Sequence, residues 1–161
     1  MKLDELYDRY GEKMYHYLAL RLGSSEDAED VLQEAFCRLT RYSVRWAIIR
    51  SPKAFVFKVL RNEANRHLAR RIRQREDGYK NPEHQNGPVF LSNDGAENSA
   101  AVISEALAQL PEDQKEIIIL KIFQDFTFKE IASICGLSIN TAASRYRYGI
   151  EKLRSSLEGK V

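Results

Sequence analysis

The residues whose types and spacing best suit chemistry lie near the C-terminus, where polar and basic side chains follow a short helical pattern. Residues 127–145 read TFKEIASICGLSINTAASR, which is typical of two helices joined by a tight turn. Gly136 is predicted to form the turn, because glycine tolerates a left-handed backbone. Leu137, Ile139 and Ala142 are predicted to form the apolar contact between the two helices.

The second helix of this pair would present hydrogen-bonding side chains to base edges and phosphates in a major groove. Ser138 can also cap its first turn. On this segment alone, a helix-turn-helix that serves only for packing remains the alternative. The predicted DNA contacts are Ser138, Asn140, Thr141, Ser144, Arg145 and Arg147.

A second set of basic residues lies in the first half of the chain. Residues 41–73 contain ten Lys or Arg and one acid, a balance of +9, whereas the net charge of the whole chain is only +2. Such a block is a candidate nucleic-acid surface, because neutralising phosphates releases counterions. Charge alone leaves a solvated basic helix face equally open. Residues at spacings of three and four share one face of this segment: Lys58, Arg61, Asn62, Asn65 and Arg66.

The sequence contains no arrangement suited to catalysis or metal binding. There is no Gly-rich phosphate loop or Ser/His/Asp set, and the three histidines are scattered. Cys37 and Cys135 are far apart and form no Cys-x-x-Cys pair, so we predict two buried thiols in a reducing cytoplasm. We therefore predict a protein without enzyme activity, metal or cofactor.

Apolar periodicity predicts three helices in the N-terminal part. The first covers Leu3–Leu22 and ends at Gly23, and the second begins after Ser24 or Ser25 and runs to Arg41. The third has Ser51 as N-cap and a proline in its first turn, and it runs to about residue 73. Between the second and third helices, residues 42–51 break the period.

Residues 74–99 lack periodicity and are rich in Gly, Pro and Asn, which predicts a linker of 26 residues. A flexible spacer and a segment that becomes ordered in a partner's groove are both open. Beyond it, helices are predicted over 100–110, 112–124, 127–135 and 139–157. Gly149 lies inside the last helix, where glycine costs about 1 kcal/mol relative to alanine.

These elements predict an all-α protein with two small helical domains, 1–73 and 100–161, joined by the linker 74–99. The first domain would have three to four helices, and the second would have four with the helix-turn-helix among them. No apolar run approaches the roughly 20 residues of a membrane-spanning helix, and the N-terminus does not resemble a secretory signal. We predict a cytoplasmic protein.

At the level of motifs, the sequence resembles the sigma factors of bacterial RNA polymerase. The fourth conserved region of that family is similar to LAQLPEDQKEI at 107–117, FKEIA at 128–132, GLS at 136–138 and TAASR at 141–145. The second conserved region is similar to LYDRY at 6–10, DAEDVLQEAF at 27–36 and FVFKVLRNEA at 55–64. The two matches cover residues 3–73 and 103–157 in the family's order. A counterpart of the middle domain of larger sigma factors is absent, which points to the extracytoplasmic-function group.

The resemblance implies a role for each part of the chain. The second helix would dock on the clamp helices of the largest polymerase subunit, and the last helix would read the minus-thirty-five promoter element. The linker would lie in the RNA exit path. For polymerase binding, the contacts would be Asp30, Gln33 and Glu34. The minus-ten element would be read and melted by Arg45, Trp46, Lys58, Arg61, Asn62, Asn65, Arg66 and Arg70.

The implied partners are core RNA polymerase, including the flap of its second-largest subunit, together with promoter DNA and an anti-sigma factor. An anti-sigma factor could hold the chain at the membrane, and otherwise the chain would associate with the nucleoid. Trp46 is open to two interpretations, a loop aromatic that receives an unstacked base and a core plug.

The chain departs from the family in its last helix. Ala142 and Ala143 stand where many relatives have Val and Lys, and residues 146–150 are poorer in charge. These departures bear on how strongly the C-terminal domain grips DNA alone and on which element it reads. Two other classes remain in competition: a dimeric helix-turn-helix repressor or activator, and a helical protein-interaction adaptor.

Overall fold

The chain forms α-helices throughout the parts that the computed structural model describes, which are residues 2–42, 48–78 and 97–158. The elements are α1 Leu3–Leu22, α2 Ser25–Thr40, α3 Pro52–Glu76, α4 Glu97–Ala108, α5 Glu112–Ile118, the π-helical segment Ile119–Phe123, α6 Phe128–Cys135 and α7 Ile139–Leu157. No strand occurs in these ranges. The predicted all-α class is confirmed.

Local capping chemistry sets most of the helix ends. The Ser24 hydroxyl accepts from the Asp27 N–H at 3.2 Å, and the Ser51 hydroxyl caps α3 in the same way. Gly23 ends α1 and Gly136 ends α6, each with a left-handed backbone at φ 69° and 68°. These caps were predicted from the sequence and are confirmed, because they depend only on neighbouring residues.

Two helix boundaries differ from prediction. α3 continues to Glu76, because the chain has no helix breaker until Gly78, where φ is +78°. α4 already begins at Glu97, inside the segment predicted as linker.

The region predicted as one helix over 112–124 is also different. α5 ends at Ile118 and continues as the π-helical segment, after which the Phe126 N–H donates to the Leu120 carbonyl at 3.1 Å. This turn buries Phe126, which is 1% exposed.

The apolar stripes of α1, α2 and α3 pack together and bury residues such as Leu18, Ala35 and Leu60, each 0% exposed. The C-terminal helices bury Ile117, Ile131 and their neighbours in the same way. We call α1–α3 the N-terminal unit and α4–α7 the C-terminal unit.

The two units lie against each other and share one continuous core. α3 packs on α6, and α1 packs on the π-helical segment and α4. Phe57 of α3 and Phe126 meet edge to face with ring centroids 5.1 Å apart. The sequence left the arrangement of the two units open.

Among the described helices, none combines the length and the apolar character that crossing a membrane requires.

Candidate nucleic-acid and polymerase interfaces

The helix-turn-helix is built by α6, Gly136 and α7. Thr127 and Glu130 form a capping box at the start of α6, and Ala142 of α7 is fully buried against the core. Phe128 and Tyr146 hold the two helices together edge to face, with ring centroids 5.4 Å apart. These contacts fix the orientation of the first turns of α7.

The structure places the six predicted contacts of α7 at different depths. Asn140 and Arg147 are exposed, and the exposed Ser138 caps the helix by accepting from the Thr141 N–H at 3.1 Å. The Thr141 side chain accepts a hydrogen bond from the Ser138 hydroxyl at 2.8 Å. Thr141, Ser144 and Arg145 are half-buried. The free hydrogen-bonding capacity of this surface is therefore concentrated at Asn140 and Arg147.

Arg145 has a partner within the chain. Its Nε lies 3.7 Å from a carboxylate oxygen of Asp113 in α5. Both side chains are well exposed, so water screens this pair and a phosphate could replace the carboxylate at little cost.

One predicted packing contact of the helix-turn-helix is wrong. Ile139 was expected to help join the two helices, yet it is 50% exposed. As the first residue of α7 it points away from α6, and Ala142 makes the contact one turn later.

The predicted basic face of α3 is divided by the packing of the two units. Lys58, Asn62, Arg66 and Arg70 are exposed. Together they form a surface that we call the α3 outer face. Its three cations and one amide are free to approach phosphates or unstacked bases.

Arg61 and Asn65 belong instead to the contact between the units. Arg61 Nε donates to Glu116 Oε1, and its Nη2 donates to Oε2 of the same carboxylate at 3.5 Å. Asn65 Oδ1 accepts from Arg21 Nη2 at 2.5 Å. Both side chains are half-buried. Helical spacing places these residues on the side of α3 that faces Glu116, a contact that local periodicity could not reveal.

Two buried acids join α2 to α3. Glu63 is 2% exposed and pairs with Arg38 of α2 and with Arg66. Asp27 of α2 is 1% exposed, and Arg71 of α3 donates to it at 3.2 Å. These pairs set how α2 is presented next to the α3 outer face. Sequence reasoning missed their role, although a single acid within the basic block 41–73 was a signal of a structural ion pair.

The three predicted polymerase contacts are all exposed. Asp30, Gln33 and Glu34 line an open polar groove between α2 and α3, with a volume of about 450 Å³. The opposite wall carries Arg70. Such a mixed rim suits a charged protein partner, because complementary charges steer association.

Cys37 lines the same groove and is exposed, so the prediction that both cysteines are buried is wrong. The apolar stripe of α2 turns away from this position. Cys135 is buried as predicted.

Burial and pairing change the pKa values of several groups at the contact between the units. Burial alone would lower the pKa of Arg61, but the hydrogen bond and charge of Glu116 outweigh it and raise that pKa. Burial lowers the pKa of Lys115. Burial also raises the pKa of the Cys135 thiol to about 12, and the Glu116 carboxylate adds to the effect.

Arg45 and Trp46 lie outside the described residues. Within the described ranges, no group of His, Cys, Asp and Glu is arranged to hold a metal ion.

Known families match both units. The family Sigma-70 region 2 matches residues 6–74, and the family Sigma-70, region 4 matches residues 100–153. These matches include α1 to α3 and most of α4 to α7.

Similar proteins cover nearly the whole chain. The ECF RNA polymerase sigma factor SigL of Mycobacterium tuberculosis is 30% identical over 158 residues, which cover 95% of this chain and 87% of SigL. The ECF RNA polymerase sigma factor SigW of Bacillus subtilis is 26% identical, with 95% and 87% covered.

Solved structures show the same fold. The sigma factor RpoE of Bartonella quintana, in a co-crystal with the anti-sigma factor NepR, superimposes with a TM-score of 0.80 at 23% identity. That match covers 97% of this chain and 96% of RpoE. CnrH, in complex with the cytosolic domain of CnrY, superimposes with a TM-score of 0.71 at 19% identity, covering 99% of this chain and 89% of CnrH.

Proposed function

The chain belongs to the extracytoplasmic-function sigma factors of the sigma-70 family, and from this premise we propose that three of its surfaces bring core RNA polymerase to specific promoters and open the DNA. The observation that carries the proposal is that α2, α3 and α7 each expose polar residues, within the two units that match the family. The described surfaces account for each task separately.

The α2 groove is the proposed docking site for the clamp helices of the largest polymerase subunit. Asp30, Gln33 and Glu34 would supply its polar contacts. Exposed carboxylates at the rim of an interface increase the rate and selectivity of association more than they increase final affinity. The buried pairs of Glu63 and Asp27 would keep this surface rigid against α3.

The α3 outer face is the proposed reader of the minus-ten element. Lys58, Arg66 and Arg70 would contact phosphates of the non-template strand, and Asn62 would hydrogen-bond an unstacked base. Arg61 and Asn65 would join them once released from their partners in the C-terminal unit. Arg45 and Trp46 precede α3 in the chain and are proposed to line the pocket for a flipped base.

α7 is the proposed reader of the minus-thirty-five element in duplex DNA. A recognition helix contacts base edges with its first residues and phosphates with the following turns. Asn140 would make base contacts together with Thr141 and Ser144. Arg145 and Arg147 would make phosphate contacts, and Ser138 would hold the helix start in place.

The remaining parts of the proposal concern partners and location. The chemistry of RNA synthesis belongs to the core enzyme, and we assign no catalytic step to this chain. Its partners would place it in the cytoplasm at the nucleoid. The similarity to sigma factors that were crystallised with anti-sigma factors supports an anti-sigma factor as a further partner. The linker would lie in the RNA exit path.

The first test is binding to purified core polymerase, followed by transcription from a genomic library to find the start sites. We expect Asp30→Lys with Glu34→Lys to weaken core binding by about tenfold, because reversed charges repel a basic partner. Glu12→Lys is the matched control, since Glu12 is an exposed acid of α1. Failure of the unmodified chain to bind core polymerase would end the proposal.

A second arm separates promoter opening from polymerase binding. Lys58→Glu with Arg70→Glu should leave core binding intact and abolish promoter opening, because both substitutions place negative charge next to phosphates. Arg9→Glu, an exposed change on α1, is the control. Unchanged opening would favour the adaptor class, and tight binding of the free chain to a two-fold symmetric duplex would favour the repressor class.

A further inference from the structure

The carboxylate of Glu116 lies at the centre of the contact between the two units. It is 5% exposed. Arg61 of α3 donates to both of its oxygens, and Arg21 Nη1 of α1 lies 3.9 Å from Oε1. One acid of the C-terminal unit therefore pairs with two cations of the N-terminal unit. We call this arrangement the Glu116 latch.

Arg21 extends the latch on the side of the N-terminal unit. It is 4% exposed and donates to the Tyr17 hydroxyl at 3.1 Å and to Asn65 Oδ1. Its backbone carbonyl accepts from Lys115 Nζ at 2.9 Å. Buried charges are favourable only where geometry and hydrogen bonds compensate for lost water. The latch therefore supports one specific docking of the two units.

Contacts around Phe126 support the same docking. Lys53 of α3 donates to the Gln124 carbonyl at 2.7 Å, and its Nζ lies 4.5 Å from the centroid of the Phe126 ring. Gln124 Nε2 donates to the Lys13 carbonyl of α1 at 3.1 Å. All of these bonds connect the N-terminal unit with the C-terminal unit.

This docking occupies groups that the proposed function needs. Arg61 and Asn65 are proposed to contact the non-template strand, yet they are engaged with Glu116 and Arg21. α6 is the first helix of the helix-turn-helix, which normally crosses the DNA backbone. Here it packs against α3.

The docked chain is also too small to reach both promoter elements. The minus-ten and minus-thirty-five elements are about 25 base pairs apart, or about 85 Å at 3.4 Å per base pair. A compact chain of this length has a radius of gyration of only about 15 Å. The units must separate before both elements can be bound at once.

We propose that the docked arrangement is a self-inhibited state of the free chain, and that the Glu116 latch holds it closed. This inference rests on the proposed function of α3. Release exchanges the Glu116 carboxylate for a DNA phosphate on Arg61, and guanidinium groups bind both anions with the same forked geometry. Core polymerase would favour the open form, because it binds the two units at separate places.

The test uses the full-length chain with a fluorescein-labelled single-stranded oligonucleotide of 20 mixed-sequence nucleotides. Glu116→Gln should bind this probe about tenfold more tightly than the unmodified chain, since affinity rises with the fraction of open molecules. Its radius of gyration from X-ray scattering should also increase. Glu151→Gln is the matched control: it removes one negative charge from an exposed position of the same unit, and we expect at most a twofold change.

A second variant protects the test against misfolding of Glu116→Gln. Lys53→Met removes a hydrogen bond and a cation–π contact from the docked form, and Lys53 is half-buried, so the fold should tolerate it. Losing a positive charge would by itself weaken DNA binding. Tighter binding by Lys53→Met can therefore come only from opening.

The outcomes separate this inference from the proposed function. Unchanged scattering and affinity in both folded variants would overturn the latch, whatever transcription shows. A larger radius of gyration with unchanged affinity would overturn self-inhibition, because the docking would then mask nothing. Failure of the unmodified chain to bind core polymerase would instead overturn the proposed function, and scattering would still report on the latch.

Discussion

Cys135 shows at the residue scale how burial makes an ionisable group sensitive to pH. The thiol is 8% exposed, and burial, followed by the charge of Glu116, raises its pKa from 9.0 to about 12. Between these two values, the unfolded chain releases a proton that the folded chain retains. The free energy of unfolding must therefore fall as the pH rises through this window.

We predict that the unmodified chain loses about 1.4 kcal/mol of stability through Cys135 between pH 8 and pH 10. Burial also raises the pKa of Tyr17, which adds a smaller loss above pH 10. Cys135→Ala should keep the Tyr17 loss and lack the rest. Urea unfolding at both pH values measures the difference. Equal losses in the two proteins would show that the thiol does not titrate as its burial requires.

At the scale of elements, Gly149 shows why α5 and α7 pack closely. Sequence reasoning treated this glycine as a weakness of the last helix. The structure gives it a purpose, because a Cβ at this position would lie 2.6 Å from Ile118 Cδ1 and 3.3 Å from Gln114 Cβ. Ile118 is 0% exposed, so it has little room to move aside.

We expect Gly149→Ala to lower the free energy of unfolding by about 1–3 kcal/mol, the usual cost of overpacking. This loss would outweigh the gain of about 1 kcal/mol from the better helix propensity of alanine. Ser155→Ala, at an exposed position of α7, is the control and should be neutral or slightly stabilising. A more stable Gly149→Ala would mean that α5 can shift away from α7.

Helix starts and ends could be predicted because they depend on neighbouring residues. Ser24, Ser51 and Ser138 accept hydrogen bonds from N–H groups three positions later, and Gly136 adopts the left-handed conformation that its position requires. The π-helical segment was not predicted, because a widened turn has no periodicity of its own. It forms where Phe126 packs against the N-terminal unit.

The candidate sites could be predicted only in part, for the same reason. Helical spacing grouped Lys58 with Arg61 and Asn65 on α3. The separation of the last two from the outer face depends on Glu116 and Arg21, which are 55 and 44 positions away in sequence. One sequence contains no record of such distant partners, whereas the exposure of Asn140 follows from its position in the first turn of α7.

At the scale of the whole molecule, the proposed function depends on how far the two units can separate. The described chain ends at Gly78 and resumes at Glu97, so 18 residues connect them. Fully extended, this segment spans at most about 60 Å. Two units of about 14 Å radius extend the reach between their centres to about 90 Å, just enough for elements about 85 Å apart.

Deleting residues 83–92 would therefore reduce the reach to about 55 Å and leave the docked form possible, because Arg75 and Ala101 line the same cavity on either side of the segment. We predict that run-off transcription from a promoter with both elements falls at least about tenfold, while core binding through α2 is retained. Inserting ten Gly and Ser residues instead should change transcription little, since each doubling of a flexible loop costs only about 0.6 kcal/mol. Full activity of the shortened chain on such a promoter would contradict simultaneous reading of the two elements by one chain.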